Sequence, residues 1–227
     1  NAPNIIELTA VYVPNPATEG QLLFDTQGGS QVTLGEESDK INYLPIAFGE
    51  GSDNNPKTVT IDYTPNDPTF TVFYNRVKNG ETSSEPVIAV LSIPTRNGYT
   101  FKGWSSEPNG TTTAASVDVS YKGTMTVYAI WEPNLYTLRF DTNGGNIVKK
   151  TVKTENGETI SYLQKTSEEY ADSVAYNTKF YETTETADGT TKTDIITYTT
   201  TKDHYTFVGW NPELPMVMSG DLTLEAI

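Results

Sequence analysis

The sequence contains no cysteine, one histidine and few basic residues. Without cysteine, the protein forms no disulfides, thiolate nucleophiles or zinc–thiolate sites. It has 15 Lys and Arg residues against 29 Asp and Glu residues, a formal net charge of -14. Because an acidic surface repels phosphate groups and anionic lipid, we expect neither nucleic-acid binding nor attachment to a membrane surface.

The chain also lacks an apolar run of about 18 residues, so no membrane insertion is expected. It starts at Asn1 without a signal-peptide pattern, so any targeting segment is expected to lie upstream or to have been removed. What is abundant is Thr, Tyr and Val in short runs, which favours β-strands. An acidic, Thr-rich chain without cysteine is typical of surface proteins of Gram-positive bacteria.

Several phrases occur twice, in the same order. The pairs are LLFDTQGG and LRFDTNGG, INYL and ISYL, FY and FY, YTFKGW and YTFVGW, and MTVYAI and LTLEAI. This pattern indicates two homologous modules that differ by loop insertions. We place them at residues 21–134 and 135–227.

Residues 1–20 are predicted to hold the closing strand of an upstream repeat and a linker. The pairs Pro14–Asn15 and Pro133–Asn134 mark the joints, because proline ends a strand ladder and stiffens a short linker. The sequence stops at Ile227, before any counterpart of Trp131. We therefore expect the chain to be cut from a longer array.

Alternating residues predict strands over most of each module. TVTIDY and TFTVFY, separated by TPNDP, predict a hairpin, and VIAVLSI and DIITYTT are corresponding strands. One segment, Thr166–Asn177, predicts a helix, because it has a cap, acidic residues in its first turn, and Tyr170 and Val174 four positions apart. The fold class is therefore mainly β, of the α+β type.

The two modules resemble the Listeria–Bacteroides repeat family, whose members include the B repeats of internalins. The residues that carry the resemblance are FDTQGG, NGYTFKGW and MTVYAIW in the first module, and FDTNGG, YTFVGW and LTLEAI in the second. It implies two tandem β-grasp-like modules, each with at most one short helix, on a secreted or cell-wall protein. A weaker likeness connects Thr58–Thr82 with mucin-binding-protein repeats.

The repeated phrases supply the candidate structural residues. In the turns and aromatic phrases, the predicted core and turn positions are Phe24, Gly28, Gly29, Tyr99, Phe101, Gly103 and Trp104 in the first module, and Phe140, Gly144, Gly145, Tyr205, Phe207, Gly209 and Trp210 in the second. For the aromatic phrase the alternatives are a core strand with a bulge at the glycine and an aromatic platform for a sugar ring. For FDTQGG and FDTNGG they are a turn and a calcium site using Asp25 or Asp141.

No catalytic residue, metal ligand or cofactor site is predicted. The single histidine, His204, occupies the position of Gly98 in the first module, which indicates a turn residue rather than a catalytic base. A pair of carboxylates for glycoside hydrolysis is the remaining enzymatic alternative, but no acidic motif recurs. A Lys–Asn isopeptide bond stays open, and a mass about 17 Da below that of the sequence would reveal it.

The predicted function is a non-catalytic repeat region of a bacterial cell-surface or secreted protein, acting as a stalk or spacer, with a further role as an adhesin left open. Its location is extracellular and attached to the cell wall, and its neighbours are other repeats of the same chain. The alternative is a module that binds a host glycan or protein, with Tyr63 and Tyr74 as exposed contacts in the long middle segment. An accessory domain of a secreted glycosidase is a third interpretation.

Overall fold

Every regular element that the structure describes is a β-strand. The computed structural model describes residues 19–34, 39–41, 43–48, 56–74, 77–78, 81–82, 87–166, 169–187 and 189–227. The predicted upstream strand within residues 1–18 lies outside these ranges.

In chain order, the strands are β1 (Glu19–Asp25), β2 (Val32–Leu34), β3 (Asp39–Ile41), β4 (Tyr43–Ala47), β5 (Lys57–Asp62), β6 (Thr69–Tyr74), β7 (Val77–Lys78), β8 (Glu81–Thr82), β9 (Val87–Ser92), β10 (Tyr99–Ser105), β11 (Ser116–Val119), β12 (Thr124–Pro133), β13 (Leu135–Asp141), β14 (Ile147–Thr154), β15 (Gly157–Tyr162), β16 (Lys165–Thr166), β17 (Glu169–Ala175), β18 (Tyr181–Thr186), β19 (Gly189–Asp194), β20 (Ile196–Thr201), β21 (Trp210–Asn211) and β22 (Leu222–Ala226).

The chain separates into two compact units. Unit 1 comprises the described residues up to Asn97 together with Phe101–Trp131, and unit 2 comprises Gly98–Thr100 together with Glu132–Ile227. Each unit buries a hydrophobic cluster of its own. Within the described residues, the two clusters have no residue in common.

One sheet has the same strand order in both units. In unit 1 the order is β10-β12-β1-β4, and in unit 2 the order β21-β22-β13-β17 continues to β16. The central strand of each sheet carries the FDT motif and pairs in parallel with the closing strand, β12 or β22. It also pairs antiparallel with β4 or β17. The sequence repeat thus corresponds to a repeated sheet.

The second sheet differs between the units. Among the described residues, this sheet has six strands in unit 1, in the order β11-β5-β6-β9-β2-β3, and three in unit 2, in the order β15-β14-β20, the equivalent of β3-β2-β9. The predicted hairpin of TVTIDY and TFTVFY is confirmed as β5 and β6. The predicted correspondence of VIAVLSI and DIITYTT is confirmed by β9 and β20. In unit 2 the extra residues form the hairpin of β18 and β19 instead.

The mainly-β class is confirmed, but the helix predicted at Thr166–Asn177 is wrong. This segment contains β17, which pairs with β13 from Leu135 to Phe140. Tyr170 and Val174 are both buried, and their spacing of four suits a strand face, with its period of two, as well as a helix face. The choice between strand and helix is made by the pairing of this segment with β13, which the local sequence does not show. The β-grasp arrangement stays a prediction.

The correspondence of INYL with ISYL holds only at its start, where Ile41 and Ile160 lie in the equivalent strands β3 and β15. Leu44 of the first phrase lies in β4, opposite Leu22 of the central strand. Leu163 of the second phrase instead donates its backbone N–H to Val148, beside β14. The strand that takes the place of β4 in unit 2 is β17, a few residues further along the chain.

Candidate functional site

The FDT motifs end in two turns with the same hydrogen bonds. In unit 1, the carboxylate of Asp25 accepts a bond from the Gln27 N–H at 2.9 Å, and the Thr26 hydroxyl donates to the Gly29 carbonyl at 2.9 Å. In unit 2, Asp141 accepts from the Asn143 N–H at 2.9 Å and Thr142 donates to Gly145 at 2.9 Å. Such side-chain bonds to nearby backbone are a common way to build a turn.

The glycines of these turns have different roles. Gly28 and Gly144 adopt φ values of 86° and 82°, which favour glycine. At Gly29 the constraint is space, because a Cβ there would lie 2.5 Å from Cζ2 of Trp131. As for calcium, the described residues contain no group of three acidic or histidine side chains that could hold a metal ion.

In unit 1 the turn is covered by Trp131. Its indole N–H donates to the carbonyl of Thr26 at 2.8 Å. The ring also packs edge-on against Phe101, with centroids 5.5 Å apart. The Gln27 amide then bonds the carbonyl of Ala129 at 2.7 Å, so that the turn is fastened to β12.

In unit 2 a pocket with a volume of about 440 Å³ lies beside the equivalent turn. Its walls are the turn, the aromatic phrase and the closing strand: Thr142, Asn143, Thr200, Lys202, Tyr205, Thr206, Phe207, Asn211, Glu225, Ala226 and Ile227. The Asn143 amide bonds the carbonyl of Ala226 at 3.0 Å, as Gln27 bonds Ala129 in unit 1. The turn is thus fastened to the closing strand in the same way in both units.

Polar groups surround the rim of this pocket. Lys202 Nζ donates to the carbonyl of Asn143 at 2.7 Å and lies 4.5 Å from the ring centre of Tyr205. The Asn143 amide also bonds the carboxylate of Glu225 at 3.1 Å. The pocket lining therefore combines the apolar side chains of Phe207 and Ile227 with the amine of Lys202, the amide of Asn143 and the carboxylate of Glu225.

The first aromatic phrase forms a core strand. Phe101 and Trp104 of β10 are buried, with ring centroids 5.3 Å apart, and Tyr99 is half-buried. Gly103 has a φ of 127°, and a Cβ there would lie 2.9 Å from Cγ2 of Thr113. Phe24 also packs on Trp104, with centroids 5.2 Å apart.

The second aromatic phrase differs, and the prediction that it forms the equivalent strand is wrong. Only Trp210 belongs to a strand, and Tyr205 is 71% exposed. Phe207 is half-buried, and a Cβ on Gly209 would meet open space. Trp210 nevertheless packs on Phe140, with centroids 5.1 Å apart, and its indole N–H donates to the backbone carbonyl of Tyr198 at 2.7 Å.

Of the two tyrosines predicted as exposed ligand contacts, Tyr74 is buried in the core of unit 1 and Tyr63 is half-buried against it, so the expectation that both are exposed is wrong. Tyr74 is 7% exposed. Tyr63 packs edge-on against Phe101, with centroids 5.0 Å apart, and donates its hydroxyl proton to the carbonyl of Phe101 at 3.1 Å. Tyr63 directly follows β5 and Tyr74 ends β6, and the alternation of residues along these strands does not tell which face of the sheet is buried.

Unit 2 contains a half-buried polar cluster that the sequence did not predict. Lys150 Nζ and the Tyr198 hydroxyl each donate to Oδ2 of Asp172, both at 2.6 Å. Burial, and then the hydrogen bond and charge of Asp172, raise the pKa of Tyr198 far above its ordinary value. In this cluster the lysine meets an aspartate, whereas the isopeptide left open by the sequence requires an asparagine.

His204 lies in an exposed turn with a φ of 64°, where Gly98 has a φ of 75°. The two residues thus adopt the same left-handed backbone conformation, as their alignment predicts. The histidine side chain lies outside the polar cluster and outside the pocket walls. Its position gives it the geometry of a turn residue.

In the comparison with known protein families, residues 57–130 match the model of the Listeria-Bacteroides repeat domain. The resemblance predicted from the sequence is thereby confirmed. The matched stretch runs from β5 to β12, so it begins after FDTQGG and includes half of the long middle segment of the first module.

Two relatives come from Evansella cellulosilytica. One, named a putative Gly-rich membrane protein, is 34% identical over 76 residues, which are 34% of this chain and 9% of the relative. The other, named a putative membrane protein, is 35% identical over 68 residues, 30% of this chain and 10% of the relative. The chain thus spans about a tenth of their length. No solved structure matches it.

Proposed function

We propose that the chain is a non-catalytic repeat region of a bacterial surface or secreted protein, where it acts as a spacer that holds other parts of the protein away from the cell. The Listeria-Bacteroides repeat match and the names of the relatives support this proposal. Within the described residues, no helix has the length and apolarity to cross a membrane.

The observation that carries the proposal is that one turn-and-sheet arrangement is built twice, with the same hydrogen bonds and a separate core in each unit. A repeated unit that buries its own core is suited to tandem arrays, in which similar units follow one another along the chain. Arrays of such units set a length, and length is what a spacer supplies.

The linker between the repeats is short. Only Asn134 separates the last residue of β12 from the first residue of β13. A short linker with proline limits bending more than a long flexible one does. A semi-rigid stalk anchored to the cell wall is the corresponding proposal for the whole array.

The test exchanges this region in the full-length surface protein. We expect that an unrelated pair of β-modules of equal length restores the activity of the whole protein, whereas deletion of the region lowers it. Loss of activity with the unrelated modules would show that specific surface residues are needed, and would overturn the spacer proposal. Digestion of intact cells with protease gives the location, because a surface region is cleaved without lysis.

A second candidate, a binding module for a host glycan or protein, is favoured by the β15 edge of unit 2. Ile160 is 49% exposed and Tyr162 is 58% exposed on this strand, which has β14 as its neighbour in the sheet. Exposed strand edges with apolar side chains can accept a partner strand. A glycan array and a mucin pull-down, each repeated with Ile160→Ser and Tyr162→Ser, distinguish this candidate from a spacer.

A further inference from the structure

We infer that β15 of unit 2 is a contact between two copies of this chain, at which the β15 strands of both copies pair antiparallel with each other. The pairing joins the sheet β15-β14-β20 of one copy to the same sheet of the second copy. This inference goes beyond the spacer function, because a spacer needs no contact between copies. On a cell surface with many copies, the contact holds neighbouring copies side by side.

The outer edge of β15 offers backbone groups that no described strand pairs with. β15 stands at the end of the sheet order β15-β14-β20, and all of its residues are exposed. Leu163 donates its N–H to the carbonyl of Val148 at 2.9 Å, so every second residue back along β15 directs its backbone groups towards β14. The residues between them direct theirs away from the sheet, and these are Glu158, Ile160 and Tyr162.

β15 also lacks the features that commonly keep an edge strand from pairing. Such features are short length, lysine, proline or a bulge. β15 has six residues with neither lysine nor proline, and its register with β14 is uninterrupted from Gly157 to Tyr162. The equivalent edge strand of unit 1, β3, has three residues, one of which is Lys40. In place of β3, unit 2 therefore has an edge strand twice as long.

A second copy fits this edge because the strand is complementary to itself. A two-fold axis brings the same patch of both copies together and sets identical strands antiparallel. With Ile160 of one copy opposite Ile160 of the other, Glu158 lies opposite Tyr162, and all three residues with outward backbone groups have partners within β15. A shift by two residues in either direction places one of the three opposite a residue outside the strand. The centred register therefore pairs the most strand residues.

The centred register also brings no like charges face to face. Glu158, Ile160 and Tyr162 share one face of the sheet, and Tyr162 has Lys149 as its neighbour on β14. The carboxylate of Glu158 thus meets the tyrosine of the second copy, with Lys149 of that copy on the next strand, and opposite charges on one face are favourable. Glu158 is the one acidic residue of β14, β15 and β20. Because the chain as a whole carries a charge of -14, copies approach most easily where acidic residues are fewest.

Cysteine cross-linking tests both the contact and its register, since the chain has no cysteine of its own. Opposite Cα atoms of antiparallel strands lie about 4.5–5.5 Å apart, which a disulfide can span. Ile160→Cys alone, and a mixture of Glu158→Cys and Tyr162→Cys proteins, should give disulfide dimers on mild oxidation. Glu158→Cys alone separates its two cysteines by four positions, about 13 Å along the strand, and should not. Thr199→Cys, on the other edge strand β20, is the matched control.

Analytical ultracentrifugation of the full 227-residue chain measures the association itself, up to about 1 mM, the order of effective concentration that tethered partners reach. We expect a reversible dimer, which is weak because each copy contributes a single strand. Ile160→Lys should weaken dimerisation at least about tenfold, since lysine on an edge opposes pairing. Thr199→Lys, with the same change of charge on the other edge, should leave it unchanged. Unaltered amide exchange at Leu138 in both variants checks that unit 2 stays folded.

Three results would each show the inference to be wrong. They are a chain that stays monomeric at the highest concentration, disulfide dimers that form as readily at Thr199 as at Ile160, and dimers of Glu158→Cys alone that form as fast as those of the mixture. A monomeric chain that binds mucin or a glycan through Ile160 and Tyr162 would instead assign the β15 edge to the second candidate function. The exchange of the whole region for unrelated modules tests the spacer proposal separately.

Discussion

The two units solve the same packing problem with different side chains. Leu44 lies opposite Leu22 in unit 1, and the residue in that place in unit 2, opposite Leu138, is Asp172. In the second sheets, Leu34 pairs with Leu91 in unit 1, and Lys150 pairs with Tyr198 in unit 2. Three leucines of unit 1 therefore correspond to three hydrogen-bonded polar residues of unit 2. The leucines are Leu34, Leu44 and Leu91, and the polar residues are Lys150, Asp172 and Tyr198.

This difference shows that the repeat conserves backbone pairing more strictly than it conserves the chemistry of the core. A half-buried polar cluster is tolerated when its members satisfy one another, and both Lys150 and Tyr198 donate to Asp172. Such a cluster need not add stability over apolar packing, because the cost of removing charges from water opposes their attraction. Comparison of the two units can measure that balance within one chain.

The largest effect is expected from the buried tryptophan that ends the aromatic phrase in each unit, Trp104 in unit 1 and Trp210 in unit 2. Trp104 is 1% exposed and contacts Phe24, Phe70 and Phe101. Replacement of Trp104 or Trp210 by alanine should each cost about 3–5 kcal/mol of unfolding free energy, in its own unit only. Amide exchange resolved by unit measures this. Tyr205→Ala is the control, with an expected change below about 0.5 kcal/mol, and a loss shared equally by both units would contradict their independence.

Breaking the polar cluster should have the next largest effect. Asp172→Ala leaves the Lys150 amine without its partner, and since both side chains are about one-fifth exposed, we expect a loss of about 2–3 kcal/mol in unit 2. By contrast, leucine at all three positions, Lys150→Leu, Asp172→Leu and Tyr198→Leu, copies unit 1. That variant should be as stable as the parent or more stable by up to about 3 kcal/mol.

Urea unfolding followed by unit-resolved amide exchange checks both variants. If the triple leucine variant were clearly less stable than the parent, the polar cluster would contribute net stability, and the comparison with Leu34, Leu44 and Leu91 would not hold. Leu44→Ala in unit 1 gives the reference cost of removing an apolar member, about 2–5 kcal/mol.

The phenol of Tyr198 should make unit 2 sensitive to alkali. Its folded-state pKa is raised above the ordinary 10.0, so above that pH the unfolded state loses a proton that the folded state keeps. Stability is therefore full below about pH 10 and falls above it, by about 1.4 kcal/mol per pH unit. The Tyr198→Phe variant should lose the part of the pH dependence that comes from the phenol. Because Lys150 is present in both proteins, its amine does not account for the difference between them. Equal pH dependence in parent and variant would contradict the assignment.

The turns, the β5–β6 hairpin and the equivalence of β9 and β20 could be predicted, because each depends on residues close in the chain. The elements that were missed depend on partners far away in sequence. The segment with Tyr170 and Val174 becomes β17 because it pairs with β13. In YTFVGW, hydrogen bonds to the closing strand begin only at Val208, which pairs with Ile227, and continue to Trp210, which pairs with Ala226. The first residues of the phrase therefore do not form the strand that its sequence predicts. The polar cluster joins residues of three strands, β14, β17 and β20, so no local sequence pattern predicts it.

The alignment of His204 with Gly98 was visible in the sequence, and it leads to the smallest predicted effect. A non-glycine residue at a φ of 64° carries strain that glycine would not have, and this strain exceeds the entropy that glycine adds to the unfolded chain. We expect His204→Gly to stabilise unit 2 by about 0.5–1 kcal/mol in thermal unfolding. The reverse exchange is not equivalent, since a Cβ at Gly98 would lie 2.4 Å from the ring of Tyr176. Gly98→Ala should therefore destabilise, and if both changes had the same sign, the shared backbone conformation would not explain why the two positions align.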